Sequence, residues 1–341
     1  MEKKIVVITG ATAGVGRATA REFAKKGATV ILLARDQKRL DDTRHEIESL
    51  GVEGHTIDVD VCDAVAVEAA VEHIERAIGP IDVWVNNAMV TIFAPLQDIA
   101  PDEFKRITEV TYLGTVYATM SVLKRMRARN KGTIIQVGST LAYRSIPLQS
   151  AYCGAKHAIR GFTNSIRSEL LHDASQVHIT MVQLPGVNTP QFEWCKTSMR
   201  RHPQPVGPVY EPEVAAKAIV WSSTHRRREL NVGLPTSVTI AVNKWLPGFF
   251  DRFLATHAYE QQFTDESIPA DRPSNLFHPV PTKYTARGSF EERAHQWSPQ
   301  LQLSLHRKSI GVALTLLAAF AFLKRRQPAR GMTLSTRLIG D

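Results

Sequence analysis

The apolar positions divide the chain near residue 235. Before that point, short β-branched runs alternate with longer stretches of helical periodicity. The runs are Ile5–Ile8, Thr29–Leu33, Ile81–Val85, Thr133–Val137 and Val177–Leu184, with a weaker one at Glu229–Val232. They are largely apolar along their length rather than strictly alternating, the pattern of a strand covered on both faces. The expected fold class is therefore α/β, a parallel sheet with helices on both sides. No internal repeat is evident.

Beyond residue 235 the character changes. Leu246 to Phe253 is apolar and amphipathic, whereas 268–303 is rich in proline, serine and charge with little periodicity. Ile310 to Leu323 carries no charge and is flanked by Arg307-Lys308 and Lys324-Arg325-Arg326. As a helix it would be roughly 21 Å long, short of a hydrocarbon core of roughly 30 Å. It can be read as a helix packed on protein, or as a short membrane anchor whose basic ends reach headgroups; the second is preferred because no core adjoins it in sequence. The expected organisation is a nucleotide-binding domain over 1–235, an irregular extension over 236–305, and a basic-flanked apolar helix and tail over 306–341.

The first strand runs into Thr9-Gly10-Ala11-Thr12-Ala13-Gly14-Val15-Gly16, followed by the helical stretch Arg17–Lys26. Glycines at Gly10, Gly14 and Gly16 let the backbone turn sharply and approach a pyrophosphate, and Thr12 and Val15 lie in the same loop. The helix start offers unpaired N–H groups and partial positive charge. Glycines also make ordinary turns, so the strand-to-helix context carries the reading. It makes the sheet Rossmann-type and doubly wound.

Tyr152 and Lys156 stand four residues apart at the start of a second helical stretch, so both project from one face. A free phenol titrates at about 10, and a nearby cation favours its phenolate. Such a pair is expected to exchange a proton with a substrate oxygen while a nicotinamide exchanges hydride. Ser139 ends the strand Thr133–Gly138, at the sheet edge where ligands bind in open α/β folds. Its hydroxyl can orient a carbonyl. Singly, these could be a turn serine, a core ring and a solvated lysine.

The glycine spacing, together with a serine 13 residues before the tyrosine of Tyr152-x-x-x-Lys156, resembles the short-chain dehydrogenase/reductase family over residues 4 to about 233. The resemblance implies an oxidoreductase with Ser139, Tyr152 and Lys156 as catalytic residues, Lys156 also holding the cofactor ribose. It places Ala34 where family members using NAD carry aspartate. Arg35 follows, suited to the 2′-phosphate of NADP, although Asp36 could serve a ribose in another register. It further implies Asp58 and Val59 against the adenine, Asn86 and Ala88 bordering the cofactor, and Thr189 near the nicotinamide amide. Three positions depart from the family pattern. Met89 stands where glycine is usual, Thr111 where many members carry a catalytic asparagine, and the interval from Pro185-Gly186 to Thr189 is one residue short. Thr111 makes the proton relay the doubtful step and raises the alternative of an impaired, NADP-binding regulatory or membrane-tethered scaffold protein.

The loops after Ser139 and Pro185 supply Leu141, Tyr143, Ile146, Gln191, Phe192, Trp194 and Met199. They suit a bulky apolar carbonyl or alcohol, or alternatively a lid or subunit contact. By analogy with the family, Glu103–Arg129 and Ala151–Leu171 are expected dimer faces. Lysine and arginine total 42 against 33 acidic residues, a net charge of +9 that favours anionic ligands or an acidic membrane. No nucleic-acid recognition module accompanies that charge. Cys62, Cys153 and Cys195 have no paired or metal-ligand spacing, which with the absence of a secretory pattern gives an expected cytoplasmic setting, with membrane contact through 310–323.

Overall fold

A computed structural model describes residues 3–307 apart from Lys283, together with Thr315. The apolar segment 310–323 and the tail therefore lie outside the described residues, Thr315 excepted. Seven strands form the central sheet: β1 (Ile5–Thr9), β2 (Thr29–Ala34), β3 (Gly54–Asp58), β4 (Val83–Asn86), β5 (Thr133–Ser139), β6 (His178–Leu184) and β7 (Glu229–Asn231). Their order is β7-β6-β5-β4-β1-β2-β3, and every neighbouring pair is parallel. The expected α/β, doubly wound sheet is present.

Strand periodicity explains the continuous apolar runs. Val7, Ile31, Trp84, Ile134 and Ile179 project to one face. There they meet Val67, Val71 and Ile74 of α3 (Ala64–Ala77), Ala118, Val122 and Met126 of α5 (Gly114–Ala128), and Ile166 and Leu170 of α6 (Ser150–His172). The alternate positions Val6, Ile8, Val30, Leu32 and Val85 are also fully buried, on the opposite face. On that side α1 (Gly14–Ala24) meets α7 (Pro212–Ser222) through Ala18 and Ala216, and α2 (Gln37–Glu48) packs beside β3. Alanines at the crossing let the two helices approach closely.

Two irregularities position the site. Between α4 (Pro101–Ile107) and α5, residues Thr108–Leu113 form a π-helical turn, which rotates Val110 and Thr111 relative to the flanking helix. Leu148 adopts φ +66° just before α6, at a cost of order 1 kcal/mol, and its carbonyl accepts the Ala94 amide at 3.0 Å. That bond ties the entry of the tyrosine-bearing helix to the loop after β4.

The stretch after 235 contains regular structure. Helices α8 (Leu234–Trp245) and α9 (Pro247–His257) form a hairpin. Phe263–Ser267 then pairs antiparallel with Arg201–Pro203, and Ala294–His295 pairs with Val209–Tyr210. Residues up to Leu301 form one compact unit. The tract 268–301 thus docks by short pairings and main-chain carbonyls, which leave no hydrophobic period. Among the described residues, no helix is long and apolar enough to cross a membrane.

Candidate active site

The sheet order reverses between β4 and β1, and the carboxyl ends of these strands open there into a cleft of about 510 Å³. Gly10, Thr12, Gly14 and Val15 line one wall. Gly14 has φ +54°, and a Cβ there would also press on Thr189 at about 3.1 Å. A Cβ on Gly16 would sit 2.1 Å from the Gly10 carbonyl oxygen, so this position excludes every side chain. Helix α1 has no side-chain cap and no acidic residue in its first turn, which suits its amino end to an anion.

Arg35 follows β2 at one end of the cleft. Its Nη1 donates to the Phe277 carbonyl at 3.0 Å and Nη2 to the Asn275 carbonyl at 2.9 Å, with Asp60 3.8 Å away. Burial lowers the guanidinium's pKa, and the Asp60 carboxylate opposes that. Burial pushes Asp60 itself up, but Arg106 and the Cys62 amide outweigh it and hold the carboxyl below its ordinary range. Asp36 is engaged as the cap of α2, accepting the Arg39 amide at 3.0 Å.

Two expected contacts shift by one or two residues. Asp58 is exposed and does not line the cleft; Val59, Asp60 and Val61 do. The chain reads Asp58-Val59-Asp60-Val61, and β3 ends at Asp58, so the acid turned into the cleft is the second of the two. Asn86 is buried and fully engaged: it donates to Thr119 Oγ1 at 3.0 Å and Gln136 Oε1 at 2.9 Å, and accepts from Trp84 Nε1 at 2.8 Å. Asn87 borders the cleft instead, donating from Nδ2 to the Thr9 and Gly10 carbonyls at 3.0 and 3.1 Å. Ala88 and Met89 line the wall as well, and Met89 shows no left-handed φ, so it carries no strain.

Ser139, Tyr152 and Lys156 converge at the other end. Ser139 Oγ accepts the Leu141 amide at 3.1 Å. Burial pushes the Tyr152 phenol well above its ordinary range, and hydrogen bonding to Ser139 opposes this without offsetting it. Lys156 is 4% exposed, its Nζ donates to the Val137 carbonyl at 2.7 Å, and it lies 5.5 Å from the Tyr152 ring centre. Burial pulls its pKa down to about 8. The expected lowering of the phenol's pKa by this cation does not prevail: the ammonium is directed to the Val137 carbonyl, and burial outweighs it. The phenol is thereby kept as an acid across neutral pH. Thr111 does not join the group. It is fully buried and outside the cleft wall, with its hydroxyl donating to the Val90 carbonyl at 3.1 Å and accepting the Val90 amide at 3.2 Å.

Around this triplet, Leu141, Ile146, Gln191, Phe192 and Trp194 line the cleft as expected from sequence. Tyr143 turns away to Glu229 and Arg160, and Met199 packs behind Phe93 and Phe192. Phe93, Val187, Gln149 and the hairpin residues Phe250, Phe253 and Leu254 complete the wall, none of them signalled by a motif.

A strap from the C-terminal part crosses the Arg35 end of the cleft. Besides the Arg35 bonds, Arg39 donates to the Val280 and Thr282 carbonyls, Arg17 to the Tyr284 carbonyl at 2.6 Å, and the Gly14 amide to the Thr285 carbonyl at 2.9 Å. Tyr284 stacks on Trp194 at 4.4 Å, with Arg39 over its other face at 3.9 Å.

Comparison with known proteins identifies the family of the fold. A family profile described as short chain dehydrogenase matches residues 4–198. An uncharacterized oxidoreductase of Bacillus subtilis, YxnA, is 31% identical over 277 residues, 81% of this chain and 76% of its own. A 3-dehydrosphinganine reductase of Danio rerio is 32% identical over 192 residues, 55% of this chain and 57% of its own. Among solved structures, a metagenomic short-chain oxidoreductase in complex with NADP superposes with TM-score 0.57 at 27% identity, over 67% of this chain and 96% of that one. An alcohol dehydrogenase from Thermococcus sibiricus complexed with 5-hydroxy-NADP gives 0.58 at 28% identity, over 68% and 96%. With its glycine loop, its switch-point cleft and the match over more than half its length, the chain belongs to the short-chain dehydrogenase family.

Proposed function

We propose that the chain is an NADP(H)-dependent oxidoreductase that interconverts a carbonyl and an alcohol in a compound with a sizeable apolar body. The observation that carries this is a single continuous cleft with a cation, Arg35, at one end and Ser139, Tyr152 and Lys156 at the other. The cleft residues fit a phosphorylated dinucleotide. The start of α1, which has no side-chain cap, and the glycine loop would take the pyrophosphate once the Thr285 carbonyl gives up the Gly14 amide, and Arg35 would take the 2′-phosphate. Val59, Asp60 and Val61 would flank the adenine, Asn87 and Ala88 the middle, and Thr189 and Lys156 the nicotinamide end. The NADP-bound structural relatives favour the same cofactor. When bound, NADP(H) supplies or takes up the hydride.

In the direction of reduction, Ser139 donates a hydrogen bond to the substrate oxygen, and the Tyr152 hydroxyl transfers its proton to that oxygen. Lys156, charged below about pH 8, stabilises the phenolate left behind. Leu141, Ile146, Phe192, Phe250 and Phe253 exclude water and hold the apolar body. The zebrafish relative, named as a reductase, favours that direction.

Tyr152→Phe tests the assignment against a panel of hydrophobic ketones and aldehydes. NADPH oxidation should fall by about 100-fold or more while NADPH affinity is retained. An unchanged rate with an active substrate removes Tyr152 as the acid. If NADPH binds but no carbonyl turns over even in the wild type, the chain is a nucleotide-binding regulator, the reading that the closed-off Thr111 hydroxyl favours.

A further inference from the structure

Among the described residues, nothing covers one apolar face of the α8–α9 hairpin. On α8, Leu234, Val238, Ala241 and Trp245 recur at helical spacing and are all exposed. Leu246 lies at the turn, and Phe249 and Phe253 continue the stripe along α9, in which no residue is buried. Trp245 is 77% exposed and Phe249 62%, far outside the burial such side chains normally find. The opposite side of the hairpin faces the cleft: Pro235, Thr236, Thr239, Phe250 and Leu254 line it. Phe253 belongs to both surfaces, so the apolar stripe runs without a break into the mouth of the cavity.

Charge on the hairpin is one-sided. Its single acid, Asp251, is taken by Arg144 at 2.6 Å, whose guanidinium also donates to Asn243 and the Pro247 carbonyl and so pins the hairpin to the loop after β5. Lys244 and Arg252 are exposed and have no carboxylate partner among the described residues. Lys244 stands 5.8 Å from the Trp245 ring centre. An indole and phenyl rings at a helical turn, with unpaired cations on the same two helices, match the requirements of an anionic lipid interface. The rings enter the acyl boundary while the cations meet headgroup phosphates. A second protein copy would leave those cations facing its own, on a chain of net charge +9.

We propose that the α8–α9 hairpin docks the enzyme on an anionic bilayer surface, with Trp245, Leu246 and Phe249 inserted and the mouth of the cavity facing the lipid. Entry of an apolar substrate directly from the bilayer follows from this if the function proposed above holds; the docking itself does not depend on it.

The test uses the full chain, sedimented with vesicles of phosphatidylcholine alone or with added phosphatidylserine. The wild type should bind the phosphatidylserine vesicles. Trp245→Glu combined with Phe249→Glu should weaken that binding at least tenfold, since two inserted rings are lost and two negative charges gained. Lys244→Glu with Arg252→Glu should abolish the preference for phosphatidylserine. Both pairs are exposed, so NADPH affinity and the thermal melt should match the wild type, and they report folding separately from docking. Wild-type protein that ignores vesicles overturns the proposal, as does unchanged binding of the Trp245/Phe249 variant, which would assign attachment to another part of the chain. A concentration-dependent dimer that this variant abolishes, without vesicle binding, overturns it in favour of a second copy. Loss of NADPH binding by every variant and the wild type would instead strike the functional reading and leave the vesicle result standing.

Discussion

Replacing Arg35 by alanine isolates the cation proposed to meet the 2′-phosphate of NADP. A charge-assisted hydrogen bond to a phosphate contributes about 1.5–3 kcal/mol, or about 10- to 150-fold in affinity. The Arg35 side chain is 21% exposed, so solvent screens part of this, and the lower portion of the range, about 10- to 40-fold, is expected for NADPH. Asp60 would remain 3.8 Å from the vacated position and adds repulsion of the same sign. Arg35 also anchors the strap through the Asn275 and Phe277 carbonyls, and losing those bonds would weaken NADPH and NADH alike. The ratio of the two dissociation constants therefore separates the roles. Fluorescence titration of both dinucleotides into wild type and Arg35→Ala should show the NADPH preference collapsing, with NADH affinity changed far less. An unchanged ratio would refute the assignment of Arg35 to the 2′-phosphate.

Three further outcomes follow from the geometry. The rate of carbonyl reduction should fall as pH rises through about 8, where Lys156 loses its charge while the phenol, held higher by burial, is still protonated; Lys156→Arg should push this limb to higher pH, and a flat profile from neutrality to pH 9 contradicts it. Gly16→Ala should abolish dinucleotide binding and lower the melting temperature, because its Cβ would lie 2.1 Å from the Gly10 carbonyl oxygen; retention of wild-type affinity would show that the loop can open without penalty. Burial, with Arg226 and Arg167 nearby, depresses His178 to about 4 from an ordinary 6.5, so the folded state resists a proton that the unfolded chain accepts. Stability is thus full above about pH 6.5 and lost as pH falls toward 4, by at most about 3 kcal/mol and less after solvent screening. His178→Gln should flatten that part of the melting-temperature profile relative to wild type.

The sheet and the convergence of Ser139, Tyr152 and Lys156 on one cleft were legible because each depends on short-range pattern. Buried strands need unbroken apolar runs, and a tyrosine and lysine one helical turn apart share a face wherever the helix lies. Single-residue assignments at strand ends were not legible. Asp58-Val59-Asp60-Val61 offers the same acid-apolar pair twice, and only the point where β3 stops decides which acid faces the cleft. At Asn86-Asn87 the alternation of a strand sends neighbours to opposite environments, one beneath Thr119 and the other beside the glycine loop. The electrostatics of Tyr152 and Lys156 were inferred from proximity alone, whereas burial, which no periodicity reports, dominates both. The hairpin's part in the cavity was invisible for another reason: an amphipathic helix announces an apolar face but not what that face covers.

The carbonyls that hold Arg35 come from residues 240 and 242 positions downstream. A nascent chain can therefore complete all seven strands and bring Ser139, Tyr152 and Lys156 into register while the Arg35 end of the cleft still lacks one wall. Closure at such sequence separation carries a large loop-closure entropy, which places this wall of the cleft late in folding. The carbonyls that close this end of the cleft come from Asn275, Phe277 and Tyr284, all beyond the 4–198 stretch that the family profile matches, so this wall is an addition to the shared part of the fold.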